Sequence, residues 1–464
     1  MSGYTRTPTP RIDEIWGRTA TVDRWHTLWI AHLHAQARIN PRFPGKSEIP
    51  MYIVAADRFR QDPGPWLSRI DLVEQETRHD LQAALVVFNE AAAASYAHTG
   101  LTSHDIIECG TQRAIGLSLA HLATRARQVI GMIADVATQH ARLTCVARTH
   151  GQPAQATTYG HRWGTILSPL LDWHDRLVRW QVDQPGRPTA GAVGTRADLR
   201  RTLEGWGNEQ QPDGIYRQYD RSIQAGLTVG ATRQVRHRSY DLHTAALLTE
   251  LATIAQTWAT DRRHEAMLGL GNEVRTDGQI GSSAMPHKTN PVLSERICSL
   301  ATSARGYLTT AAEAACAEWL EGDVSGSATR RHWLPGIFRC VDQILTNWAT
   351  AIERWEPDPE AMADEVRRNG PQMWTAAAMH WLVEQRGMSR LEAHKLVGAA
   401  VAQTAVNNAA GALTLARAMD RLHDVGARDA WNSWDLYLQP VIKDVDSVVA
   451  QARRMIEKWT SSDD

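Results

Sequence analysis

The chain has 464 residues, 43% hydrophobic and 22% charged, with a formal net charge of −1. That is ordinary globular composition, long enough for two or three domains. It carries no basic run or acidic tail, which argues against nucleic acid as the main partner, and no apolar stretch of membrane-spanning length.

The start, Met1 to Pro8, is polar and has no signal-peptide core. His32 and His34 lie two apart on a helical stretch, so they face different sides and read as structural, with no metal site implied. Residues 40–65 hold Pro41, Pro44, Pro50, Pro63 and Pro65 and are expected to be irregular. From Ile115, apolar residues recur at Leu119, Leu122, Ala126, Val129, Ile133 and Val136, which predicts a helix of about eight turns with one buried seam. The stretch from Gly205 to Gly230 reads as a long connection, and Leu247, Leu251, Ile254 and Trp258 repeat the helical seam after it.

Gly278, Gly281, Pro286 and Pro291 bar a regular helix, so a loop is expected there. It carries Ser282, Ser283, Lys288 and Asn290, a set suited to closing over a small dianion: a point charge from lysine, donors from asparagine and backbone. Glu356-Pro357-Asp358-Pro359-Glu360 stops one helix and starts another, ending near Gly370. Period-two strand patterns are scarce. The expected fold is all-α, a bundle of long seamed helices, and such seams often continue across subunit boundaries. The 18 tryptophans outnumber four phenylalanines, and those such as Trp258 and Trp374 sit at apolar helix positions where core packing is expected. Cys109, Cys145, Cys298, Cys316 and Cys340 are scattered, without a Cys-x-x-Cys, as reduced cytoplasmic thiols would be. The only lysines are Lys46, Lys288, Lys395, Lys443 and Lys458, which makes Lys288 conspicuous.

Residues 281–290, Gly-Ser-Ser-Ala-Met-Pro-His-Lys-Thr-Asn, resemble the signature of the fumarase/aspartase superfamily, and Ala284 and His287 give them the look of its adenylosuccinate lyase branch. Three more segments carry the resemblance in family order: Thr77-Arg78-His79-Asp80, His98 to Asp105 with the Thr102-Ser103 pair, and Arg148 to Gly160 with Thr-His-Gly at 149–151. Gly191-Ala192-Val193-Gly194-Thr195 also has a family look.

The resemblance implies a three-domain fold: an N-terminal helical domain (1–105), a central bundle with the signature loop (106–355) and a C-terminal helical domain (356–464). It implies a homotetramer whose active sites are shared between subunits, a small dicarboxylate substrate, and no cofactor. The implied reaction is anti elimination from a 2-substituted succinate, releasing fumarate. Ser282 is implied as base and His150 as acid; the rival assignment makes His150 the base and the serine a ligand, since histidine is the better-matched group at neutral pH. His79 is expected to contact substrate or tune His150, or else to be structural. Substrate contacts are expected from Arg78, Asp80, Thr102, Ser103, Thr149, Gln152, Thr158, Ser283, Lys288 and Asn290. Arg6, Ser327 and Arg331 match positions that hold a nucleotide phosphate and ribose in adenylosuccinate lyases.

Departures gather at that nucleotide grip. Thr7 follows Arg6 where a tyrosine is usual, Gly322 replaces an arginine, and Gly326 and Arg330 replace a histidine and a glutamate. Thr289 and Ser239 also depart from the usual arginine and histidine. These changes point to a carbon–nitrogen lyase whose leaving group is not a purine nucleotide, nitrosuccinate or another N-substituted succinate being candidates. The alternatives are housekeeping adenylosuccinate lyase and, against the presence of His150, a lactonising cycloisomerase.

Overall fold

The computed structural model describes residues 7–183, 189–204, 219–220, 223, 232–276, 278, 285, 287–406 and 437–461. Most of the 205–230 connection lies outside them. The chain begins with α1 (Pro10–Trp16) and α2 (Arg18–Ile39), a 3₁₀ turn (Pro44–Glu48), α3 (Ile49–Gln61), α4 (Pro63–Thr77) and α5 (Asp80–Ala92). The proline-rich stretch is therefore more regular than its composition predicts. Pro44, Pro50 and Pro63 each sit in the first turn of a helix, where the missing N–H removes no bond.

The long seam forms α6 (Ser103–Gln139), 37 residues, longer than the spacing predicts. Ile115, Leu119, Leu122, Ala126, Val129 and Ile133 are all buried. After it come α7 (Tyr159–Gly164), α8 (Leu167–Asp183), α9 (Ala197–Glu204), α10 (Ser239–Leu268), α11 (Val292–Cys316) and α12 (Ser327–Arg354). The C-terminal helices are α13 (Pro359–Met373), α14 (Thr375–Arg386), α15 (Arg390–Val406) and α16 (Gln439–Thr460). Asp358 caps α13 by accepting from the Ala361 N–H at 2.9 Å, as the Asp-Pro-Glu punctuation predicts. Strands among the described residues form two antiparallel pairs: β1 (Thr144–Thr149) with β2 (Gln152–Thr158), and β3 (Gly271–Glu273) with β4 (Trp355–Pro357).

The residues group into two compact units, and the longest helices contribute to both. The first takes Met1–Arg125, Trp173–Thr253 and Ser299–Thr346. Its N-terminal core centres on His26, stacked on Phe88 with centroids 4.0 Å apart. Burial pushes the His26 imidazole down to about 3, so it packs as a neutral ring. His32 is buried against the Thr99 carbonyl while His34 is exposed, so the two do face apart. Trp173 donates to the Leu247 carbonyl at 2.7 Å, and His121 meets Asp342 at 2.9 Å, joining the long helices side by side.

The second unit takes Ala126–Asp172, Ile254–Cys298 and Asn347–Asp464. Trp258 is buried between Trp163 and Trp348, as its seam position predicts. Trp374 is half-buried against Tyr437. Arg262 lies among the rings of Trp163, Trp258, Trp355 and Tyr159, 4.7–5.6 Å away, and pairs with Glu265 at 2.8 Å. The aromatic faces and one carboxylate hold the buried guanidinium in a way a lysine would not, although its Nε and Nη1 find no hydrogen-bond partner. Gly160 is a close approach: a Cβ there would lie 2.3 Å from the Ala137 carbonyl oxygen. Gly160→Ala is therefore expected to lower stability by about 1–3 kcal/mol, read as a lower thermal midpoint; an unchanged midpoint overturns this.

No cysteine forms a disulfide; Cys109, Cys145, Cys298 and Cys340 are buried and Cys316, at the end of α11, is exposed. No helix among the described residues is long and apolar enough to cross a membrane.

Candidate active site

His150 stands at the tip of the β1–β2 hairpin. Thr149 pairs with Gln152, leaving His150 and Gly151 as a two-residue connection with φ of 53° and 75°. Both are left-handed, as a type I′ turn requires. Glycine adopts this freely, but a histidine there costs about 1–2 kcal/mol. Thr149, His150 and Gln152 are exposed, so the strained backbone holds up an accessible imidazole. Strain at a site-forming side chain is a recognised mark of function. The sequence signal for this hairpin is His-Gly between two short threonine-bearing runs, Thr-Cys-Val-Ala-Arg-Thr and Gln-Pro-Ala-Gln-Ala-Thr-Thr; their lack of strict alternation and of β-branched density hid it.

The hairpin is anchored from behind. The Arg148 guanidinium pairs with Glu365 of α13, a buried carboxylate, and Arg162 donates to the Val146 carbonyl at 2.8 Å. Thr158 is fully buried, and its hydroxyl accepts from the His161 N–H at 3.1 Å, capping α7. That hydroxyl therefore already performs a structural task.

In the signature loop, Ser282 and Ser283 lie outside the described residues. Lys288 is exposed, its N–H donating to the Met285 carbonyl at 3.0 Å and its own carbonyl accepting from Arg275. Asn290 is half-buried two residues before α11. The far end of the loop is fixed by Glu273, a buried carboxylate missed by sequence reasoning. It accepts from the Leu293 N–H (2.9 Å), the Ser294 N–H (2.8 Å) and the Ser294 hydroxyl (2.7 Å), capping α11. His150, Thr149, Gln152, Thr158, Lys288 and Asn290 all belong to the second unit.

The first unit brings together the other half of the expected set. Arg78 ends α4 in a left-handed conformation (φ 55°), which turns the chain so that His79 caps α5. The His79 Nε2 lies 3.3 Å from the Ser103 hydroxyl, and its Nδ1 lies 3.5 Å from Asp80 Oδ1. Asp80 Oδ2 in turn pairs with Arg331 at 2.9 Å. Thr102 immediately precedes α6, and its N–H donates to Asp105 at 2.9 Å. The same buried carboxylate accepts from the backbone N–H groups of Ala190 and Gly191, which ties the Gly191–Thr195 segment to the start of α6. Thr102 and Ser103 thus stand at the positive end of a long helix. Arg6 lies outside the described residues.

Asp80, Ser327 and Arg331 also line a cavity of about 390 Å³ in this unit. Three helices supply most of its lining: Thr21, Val22 and Trp25 from α2; His104, Ile107 and Glu108 from α6; Arg330 and Leu334 beside the two named residues of α12; Trp16 of α1 and Ile70 of α4 add to it. His104 lies within the His98 to Asp105 motif, where no role was read for it, and Glu108, one turn further along α6, belongs to no motif. Among the described residues no group of three or more His, Cys, Asp or Glu is placed to hold a metal ion.

Comparison with known proteins matches residues 68–306, just over half of the chain, to a family model described as lyase. A similar protein is the adenylosuccinate lyase of Synechocystis sp., 29% identical over 393 residues, which cover 84% of this chain and 85% of that one. The adenylosuccinate lyase of Archaeoglobus fulgidus is 26% identical over 410 residues, 86% of each chain. Among solved structures, the fumarate lyase from Mesorhizobium sp. BNC1 superposes with a TM-score of 0.81 at 21% identity, covering 96% of this chain and 99% of that one. The 3-carboxy-cis,cis-muconate lactonizing enzyme from Pseudomonas putida gives 0.79 at 20% identity, covering 96% and 97%. The chain belongs to this lyase family, within the fumarase/aspartase superfamily and with its helical fold.

Proposed function

We propose that the protein is a carbon–nitrogen lyase that splits a 2-(N-substituted) succinate by anti β-elimination and releases fumarate. The observation that carries this reading is His150, an exposed imidazole on a strained hairpin tip, in a chain whose relatives are named adenylosuccinate lyases. In the proposed reaction a base removes a proton from C3. The electron pair spreads into the neighbouring carboxylate as a dianion, which needs donors already in place. Thr102 and Ser103 at the helix end, with Lys288 and Asn290 from the loop, supply them. The C2–N bond then breaks, the departing nitrogen takes a proton, and fumarate remains.

Ser282 serves as base, its hydroxyl acidified by Lys288 and loop N–H groups, and His150 as acid. His79 contacts Ser103 and orients it for the carboxylate. Arg78, Asp80, Thr149, Gln152, Thr158 and Ser283 complete the proposed substrate set, Thr158 from its capped position. The rival assignment, His150 as base, is separated from this one by the leaving-group test in the Discussion. Exposure of Thr149, His150, Gln152 and Lys288 in the single chain supports sites completed by neighbouring chains, hence a homotetramer. The three-domain division at 105 and 355 and residence in the cytoplasm belong to the same reading.

The departures at Thr7, Gly322, Gly326 and Arg330 favour a leaving group other than a purine nucleotide. Nitrosuccinate is the smallest version of this reading. The cavity beside Asp80 speaks for something larger, since a water's share of liquid volume is only about 30 Å³ and nitrite is little bigger. The second reading is adenylosuccinate lyase itself, favoured by the names of the relatives and by Ser327 and Arg331. Incubation with adenylosuccinate, nitrosuccinate and N-aryl aspartates, with fumarate as the readout, tests the proposal. Fumarate from at least one is expected, and none from any of them overturns it.

A further inference from the structure

We infer that the cavity between α2, α6 and α12 receives the departing amine, and that it is built for a flat, ring-bearing amine without a phosphate group. This rests on the elimination proposed above and names the substrate class for it.

Size is the first support. A cavity of about 390 Å³ falls within the roughly 300–1,000 Å³ usual for small-molecule sites. Its apolar walls include two indoles, Trp16 and Trp25, and Trp25 lies directly on α6: a Cβ at Gly110 would sit 3.4 Å from its ring. Indole faces offer a planar ligand large contact area at small entropic cost.

Charge is the second. Five arginines line the cavity, and four already face carboxylates. Arg238 and Arg330 are buried and share Glu108 (2.9 and 3.3 Å) and Asp241 (3.4 and 2.7 Å). Arg331 is held by Asp80 at 2.9 Å, and Arg18 by Asp71 and by Glu74. The fifth, Arg24, donates to the Ile15 carbonyl at 2.7 Å and to the Thr21 hydroxyl at 3.1 Å, while its Nε is buried without a hydrogen bond. A phosphate dianion gains from unpaired, convergent cations. Here only Arg24 faces no carboxylate, and drawing Arg238 or Arg330 in beside it would leave buried Glu108 and Asp241 uncompensated. A neutral ring loses nothing to this pairing. It stacks on indole and guanidinium faces, and its N–H groups find acceptors in Glu108 and Asp80.

The test compares adenylosuccinate with the nucleoside obtained by removing its phosphate, using the intact wild-type protein and fumarate release. The nucleoside is expected to match the nucleotide within tenfold in kcat/KM, or to exceed it. A preference of tenfold or more for the nucleotide overturns the inference while leaving the elimination standing. Fumarate from nitrosuccinate alone also overturns it, since a ring would then be superfluous. No fumarate from any N-substituted succinate overturns the elimination itself. As a second arm, Trp25→Ala is expected to raise KM for a ring-bearing substrate by about tenfold with kcat little changed, and Trp25→Phe to restore it. An unchanged KM in a folded Trp25→Ala protein overturns the stacking role.

Discussion

His150→Asn is expected to lower fumarate release from an amine-bearing succinate by roughly 10²–10⁴-fold, the usual contribution of a positioned acid or base. That corresponds to about 3–5 kcal/mol of barrier. Asparagine is the informative replacement because it tolerates the left-handed backbone that the hairpin tip imposes. The β1–β2 register and the Arg148–Glu365 anchor behind it should persist, so circular dichroism and the thermal midpoint are expected to stay close to wild type. The leaving group separates the two assignments. Nitrite departs without help from an acid, so His150 as acid predicts a much smaller loss with nitrosuccinate than with an amine. Equal losses on both would make His150 the base. Wild-type rates on every substrate would remove it from the chemistry.

Ser282→Ala carries the other large effect, again about 10²–10⁴-fold if the serine is the base. The more telling measurement mixes this protein with His150→Asn. Each is inactive alone, but a site that draws its serine and its histidine from different chains has both intact in some hybrids. An equal random mixture is expected to recover about a quarter of wild-type activity. Confirmed hybrid oligomers with no recovery would place both residues in one chain. A fully active Ser282→Ala protein would make the serine a bystander.

The helical architecture was readable because burial and periodicity coincide: every apolar position from Ile115 to Ile133 in the seam is buried. The proline-rich stretch misled because a proline is read as a breaker, whereas in the first turn of a helix it serves as a start signal. Most of the candidate site came from short motifs, and the structure adds which of those residues touch. It puts His79, Ser103, Asp80 and Arg331 in one chain of contacts. It gives the Thr158 hydroxyl a capping bond that no motif announces. Glu273 and Glu108 were illegible because their roles come from partners far away in sequence. Glu273 meets Ser294 across a loop, and Glu108 meets Arg238 and Arg330 across the first unit.

The distribution of thiols has a practical consequence. With four cysteines buried and Cys316 alone exposed, a maleimide dye should attach at one native position, at the C-terminal end of α11. The chain thus comes with its own handle for fluorescence or spin labelling, and subunit exchange in mixed preparations can be followed by energy transfer without engineering a residue.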